Sequence, residues 1–287
     1  MNVFTYFATE PDAMLLFVGV LGLIIGSFLN VVIYRLPIMM EREWRKQCTE
    51  LLNISAPKPK DTLNLIQPRS RCPHCGHAIT ALENIPIISY IWQRGKCTAC
   101  GHSISVRYPF IEGFSAILAI ITAWHFGYGW PLVGALIFTW TLLAASMIDF
   151  EHQLLPDDIT LPFLWLGLLC NLFGLYTDIE SSIIGAMAGY LTLWIVYWLF
   201  KLLTGKEGMG QGDFKLLAAL GAWMGWQALP LILFISSLIG AVVGITLIIL
   251  RDHDKNVPIP FGPYLAAAGW LYLLWGNFLT QNSFLSL

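Results

Sequence analysis

Residues 14–34 read MLLFVGVLGLIIGSFLNVVIY, a run without a single charged side chain. A helix needs about 20 predominantly apolar residues to cross the hydrocarbon of a bilayer, so this run is a membrane span, placed at 13–34. Comparable runs recur at 109–127, 130–149, 156–176, 182–202, 214–229, 230–250 and 259–279. The sixth is short enough to be re-entrant, and Pro230 is the predicted break between it and the seventh. Composition agrees: 56% of the 287 residues are apolar, 12% are charged and the mean hydropathy is +0.66. A soluble domain carries roughly 25% charged residues. The expected fold is an all-α polytopic membrane protein of about eight transmembrane helices, and membrane lipid is its first partner.

The first span is not read as a cleavable signal peptide, because Met1 to Ala13 holds Glu10 and Asp12 and no basic residue, the reverse of a basic leading region. Lys and Arg set the orientation, since they collect in cytoplasmic loops. Eleven of sixteen lie between Arg35 and Arg107. With eight alternating spans the other five, Lys201, Lys206, Lys215, Arg251 and Lys255, fall on the same side. The opposite loops hold Glu10, Asp12, Asp178 and Glu180 and no basic residue. Both termini should therefore face away from the cytoplasm. The net charge of −2 says nothing of partners, and no nucleic-acid partner is expected.

The predicted segments are 1–34, the first helix; 35–108, a cytoplasmic loop; and 109–287, the membrane core. The loop begins with a linker-like Pro57-Lys58-Pro59-Lys60 and contains Cys72-Pro73-His74-Cys75 and Cys97-Thr98-Ala99-Cys100. Two CxxC knuckles at this spacing bring four thiolates to one tetrahedral Zn²⁺, and cytosolic thiols stay reduced. Cys72, Cys75, Cys97 and Cys100 are the predicted ligands. A rubredoxin-like iron site uses the same four. His74, His77 and His102 read better as neighbours than as ligands. Four sulfurs leave the metal no open position, so its role is structural.

Two aspartates carry the chemistry. Asp149, in Met147-Ile148-Asp149-Phe150, falls at the end of the third span, where the negative end of the helix dipole disfavours the ionised form. Asp213 follows the turn Gly208-Met209-Gly210-Gln211-Gly212 and opens a helix, where amide N–H groups favour it. Carboxyl groups at the edge of hydrocarbon are expensive and usually functional. One acid and one base sharing a proton is what aspartyl hydrolysis requires. The glycines permit close backbone approach. A nucleotide-binding glycine loop is disfavoured because an apolar helix, not a β-strand, precedes it.

Several motifs in order then resemble the type IV prepilin peptidases. They are Gly26-Ser27-Phe28-Leu29-Asn30, Arg35-Leu36-Pro37, the two knuckles, Arg107-Tyr108-Pro109 with Glu112, Asp149 through Asp157, Gly210 to Lys215, and Pro258 to Pro263. The resemblance covers nearly the whole chain. It implies that Asp149 and Asp213 are the catalytic pair of a bifunctional leader peptidase/N-methyltransferase in the bacterial inner membrane. Its substrates would be prepilins and type II secretion pseudopilins, cut after a short basic leader on the cytoplasmic side. The new amine would then be methylated from S-adenosylmethionine.

In this reading Asp213 is the base that activates water and Asp149 the acid, labels that sequence leaves interchangeable. Glu151, Asp157, Asp158 and Glu207 are candidates to steer a basic leader, or ordinary solvated acids. Glu112 either contacts the methylated amine or bonds to another helix. Asn30 reads as interhelical glue. No soluble methyltransferase domain fits the loop, so the donor is expected between the cysteine module and the membrane face, with Gly95 allowing close approach or simply making a knuckle turn. A proton- or cation-coupled transporter and a non-enzymatic assembly protein are the alternatives. The first would place acids deep in several spans, and the second would act without the aspartates.

Overall fold

The computed structural model of the protein describes residues 7–54, 63–251 and 260–282. The linker at Pro57–Lys60, together with Lys255, Pro258 and Ile259, lies outside the described residues. Within them the chain is helical, with two isolated β-bridges and no longer strand. Its long helices are α1 (Pro11–Leu51), α2 (Arg107–Phe126), α3 (Trp130–His152), α4 (Asp157–Leu172), α5 (Ile179–Thr204), α6 (Gln211–Met224), α7 (Leu229–Arg251) and α8 (Gly262–Asn282). Each of the eight apolar runs in the sequence lies on one of them. By length and hydropathy, five stretches among the described residues can cross a membrane: α1, α2, α3, α5 and Trp226–Thr246.

Two boundaries differ from expectation. Helix α1 does not stop at the end of its apolar run but continues to Leu51. Its extension is charged and carries pairs at helical spacing, Arg45 to Glu41 at 2.7 Å and Lys46 to Glu43 at 3.9 Å, which support a solvated helix weakly but in sum. The break after α6 lies at Gly225, with φ +82°, and not at Pro230. Pro230 is the second residue of α7, where proline costs no hydrogen bond.

Packing divides the chain into Met1–Tyr128 and Gly129–Leu287. In the first unit α1 and α2 approach through small residues. A Cβ on Gly22 would lie 2.7 Å from the Ala116 Cα, and one on Gly26 would lie 2.8 Å from the Glu112 Cα. The Ser115 hydroxyl donates to the Gly22 carbonyl at 2.7 Å. Close backbone contact of this kind is how helices associate where no hydrophobic force separates protein from lipid.

The second unit has its own aromatic centre. Trp223, Phe138 and Phe163 pack in tilted and edge-to-face pairs with centroids 5.2–5.3 Å apart, and the Trp223 indole donates to the Phe163 carbonyl at 2.9 Å. Helix α6 is buried along almost its whole length. It touches α5 backbone to backbone at Gly185 and Gly221, where a Cβ on either would overlap the other's carbonyl. Asn171 locks the far end, donating to the Ala222 and Trp223 carbonyls at 2.8 and 2.9 Å. This buried short helix carries Asp213.

Candidate active site and metal centre

Asp149 belongs to the last turns of α3. That helix stops because Gln153 turns left-handed at φ +52° and its N–H caps the Asp149 carbonyl at 2.8 Å. Asp213 is the third residue of α6, with Gly210 at the cap. Each residue is 6% exposed, and the two are close enough to interact electrostatically. Helix ends from separate parts of the second unit thus bring two buried acids together.

Two further residues set that approach. The Gly262 N–H, at the start of α8, donates to Asp149 Oδ2 at 3.0 Å. A Cβ there would lie 2.5 Å from the same oxygen, so glycine is required. Leu155, buried in the loop after α3, packs against Gly212, the residue before Asp213, and against Gly262, which bonds to Asp149. It lies 2.6 Å from where a Gly212 Cβ would stand and 3.2 Å from that of Gly262. The sequence reads Pro258–Pro263 as an irregular stretch that shapes the entry of the last span near the active site, without singling out Gly262. A glycine opening a helix after proline was the available signal, and its contact with Asp149 is tertiary.

In the first unit the four cysteine sulfurs lie within 4.8 Å of one another. Cys72 and Cys100 Sγ are 3.9 Å apart, and Cys75 and Cys97 Sγ 4.0 Å. Four sulfurs around Zn²⁺ at about 2.3 Å stand about 3.8 Å apart, so this set fits the ion. The knuckles repeat one another. Cys72 N–H donates to the His77 carbonyl and Cys97 N–H to that of His102, at 2.9 and 2.8 Å. N–H groups of Cys75 and His74 draw the Cys72 thiol down to about 7, toward the thiolate a metal needs.

No histidine joins the set. His74 and His102 stack at 4.6 Å, while His77 meets Glu83 at 3.2 Å. Glu83 also accepts from Thr98 and, at 2.8 Å, from the Thr80 N–H and hydroxyl. Those bonds, Thr98 first, hold its carboxyl down at about 2. Because Thr98 sits in the second knuckle and His77 beside the first, Glu83 ties the two together.

Two profiles match the chain. That described as the bacterial peptidase A24 N-terminal domain covers residues 20–126, and that of the type IV leader peptidase family covers 136–245. Similar curated proteins are named prepilin leader peptidase/N-methyltransferase. The one from Stutzerimonas stutzeri is 56% identical over 98% of both chains. That from Pseudomonas aeruginosa is 54% identical over 98% of this chain and 97% of its own. That from Legionella pneumophila is 43% identical over 93% of each.

The chain belongs to the type IV leader peptidase family. No solved structure matches it. The N-terminal family profile falls in the unit of the cysteine cluster, and the peptidase profile in the unit of both aspartates.

Other sequence candidates land less centrally. Of the four acids proposed to steer a leader, Asp157 is held by Lys215 Nζ at 2.6 and 2.7 Å, and Glu207 by Lys201 at 2.8 Å. Asp158 and Glu151 are exposed. Gly95 lies at φ +67°, and the place its Cβ would take is 2.9 Å from the Tyr90 hydroxyl. The positive φ of this turn favours glycine there. Glu112 is buried, and its Oε2 accepts the Ile87 N–H at 2.8 Å. Asn30 donates to the Gly26 and Tyr108 carbonyls, both at 3.2 Å, joining α1 to α2 as expected.

Proposed function

We propose that this multi-pass membrane protein is an aspartic endopeptidase that removes the basic leader of type IV prepilins and type II secretion pseudopilins and N-methylates the residue so exposed. Family membership supports both activities. The observation that carries the proteolytic half is the meeting of Asp149 and Asp213, two buried acids at helix ends of the second unit.

The pair titrates as a unit. Asp213, at a helix N-terminus, takes a proton from water as the water attacks the scissile carbonyl. Asp149, oriented by the Gly262 N–H, gives its proton to the carbonyl oxygen. The resulting gem-diol collapses as one of its hydroxyls returns a proton to Asp149, the C–N bond breaks, and Asp213 gives its proton to the departing nitrogen. A carboxyl pair poised between acid and base needs no covalent intermediate. The Lys and Arg bias of the loops supports a cytoplasmic active site, an inner-membrane location and termini on the opposite face.

Cys72, Cys75, Cys97 and Cys100 would hold a structural Zn²⁺, which fixes the fold of the loop between α1 and α2 and leaves no position open for substrate. S-adenosylmethionine is the methyl donor this reading implies.

Intact-mass spectrometry tests both halves. A leader-bearing pilin substrate incubated with the protein and S-adenosylmethionine should lose its leader and gain one methyl group, and with Asp213→Ala it should do neither. Cleavage by both proteins would refute the dyad.

A further inference from the structure

Glu112 is a carboxyl buried between helices with only neutral partners. Among the described residues these are the Ile87 N–H, at 2.8 Å, and the Ser27 hydroxyl. No ion pair reaches it there. A glutamine would serve both donors equally well, since its carbonyl accepts as a carboxylate oxygen does. Retaining an anion where no cation compensates it is unfavourable for stability, and intramembrane acids of this kind mark ligand sites by default.

Asn30 supplies an independent observation. It is 3% exposed, and its Oδ1 has no hydrogen-bond partner. Its orientation is fixed because both amide hydrogens are used, on the Gly26 and Tyr108 carbonyls. Those carbonyls frame Glu112. Gly26 packs against the Glu112 Cα, and Tyr108 lies one helical turn before Glu112 on α2. Asn30 itself lies one turn beyond Ser27 on α1. An orphan acceptor and a buried carboxyl with no cationic partner among the described residues therefore occupy the same level of the α1–α2 contact.

We propose that Glu112 and Asn30 form a binding site for a primary ammonium group. A carboxylate and an amide oxygen match the charge and N–H donors of an ammonium, whereas an anion or an apolar group would leave both acceptors unsatisfied. The proposal rests on the function above for the source of the ammonium, which is the α-amine of the trimmed chain or a lysine of the leader. Ligand entry leaves the Ile87 N–H on Glu112 Oε2. That bond steadies a turn in which Ile87 sits at φ +60° and the Ile88 N–H reaches the Pro86 carbonyl at 2.6 Å.

Peptide binding to the full chain in nanodiscs, without methyl donor, tests the site. Wild type should bind a trimmed-substrate peptide at least about tenfold more tightly with a free N-terminus than when N-acetylated, or a leader peptide more tightly with lysine than with acetyl-lysine; about 1.4 kcal/mol corresponds to that factor. Glu112→Gln, which keeps the Ile87 N–H acceptor, should abolish the preference while zinc content is unchanged and the melting temperature is at or above the wild-type value. The arm that loses its preference identifies the source. No preference in wild type, or full preference retained by Glu112→Gln, overturns the site. Leader cleavage assayed on the same preparations reports separately on the dyad.

Discussion

The cysteine module and the aspartate pair join distant side chains by different means. In the module each knuckle is shaped by its own backbone. A cysteine N–H reaches the carbonyl five residues on, a glycine N–H returns to the cysteine carbonyl, and this happens twice with nearly equal distances. Glu83 then clasps one knuckle to the other. The aspartates have no such local frame. They stand on helix ends that converge because α6 is buried against α5, because Leu155 packs against Gly212 and Gly262, and because α8 begins with a residue lacking a side chain. A site built from local turns is written in its spacing, whereas one built from helix packing depends on residues far from it.

The largest effect that would sharpen this contrast is loss of the metal. Cys97→Ser should take bound zinc, measured by elemental analysis, from one equivalent to near zero, because three thiolates and a hydroxyl hold Zn²⁺ far more weakly. Helices α3–α8 should retain their amide-exchange protection. Collapse of protection there would break the independence of the two sites.

Next comes the packing around the dyad. Gly262→Ala places a methyl group 2.5 Å from Asp149 Oδ2. Displacing a catalytic group by about 1 Å can cost roughly 10²-fold in rate, so leader cleavage should fall by that order while the protein stays folded. Gly221→Val should act through stability, since it forces α6 away from the Gly185 carbonyl of α5. Overpacking of this kind costs about 1–3 kcal/mol, readable as an earlier midpoint in detergent denaturation.

The smallest effect belongs to the Asp157–Lys215 pair, whose carboxylate is half exposed. Exposed pairs contribute about 0–1 kcal/mol, so Asp157→Asn should change the cleavage rate by less than about fivefold. A larger loss would mean that this pair helps set the geometry of the aspartates.

Much of this was legible in advance, for physical reasons. Membrane helices must be apolar over a fixed length, so the eight runs could be counted. Thiolates must be near one another, so CxxC spacing exposed the ligands. The charged end of α1 escaped because its Glu and Arg pairs leave no apolar stripe. The true break at Gly225 was hidden because only backbone geometry distinguishes it from Pro230. Gly262 and Leu155 could not be assigned because their importance lies in contacts across the second unit. Asp157 and Glu207 looked like free acids because their lysine partners are brought to them by folding.

The central claim is that Asp149 and Asp213 act as one catalytic unit. Single-turnover leader cleavage by Asp149→Asn, Asp213→Asn and the double variant tests it most directly. Residues that act as a unit are strongly non-additive. The expected result is a loss of about 10³-fold or more for each single variant, with the double variant little slower than either. A single variant within about tenfold of wild type, or losses that simply multiply, would contradict it.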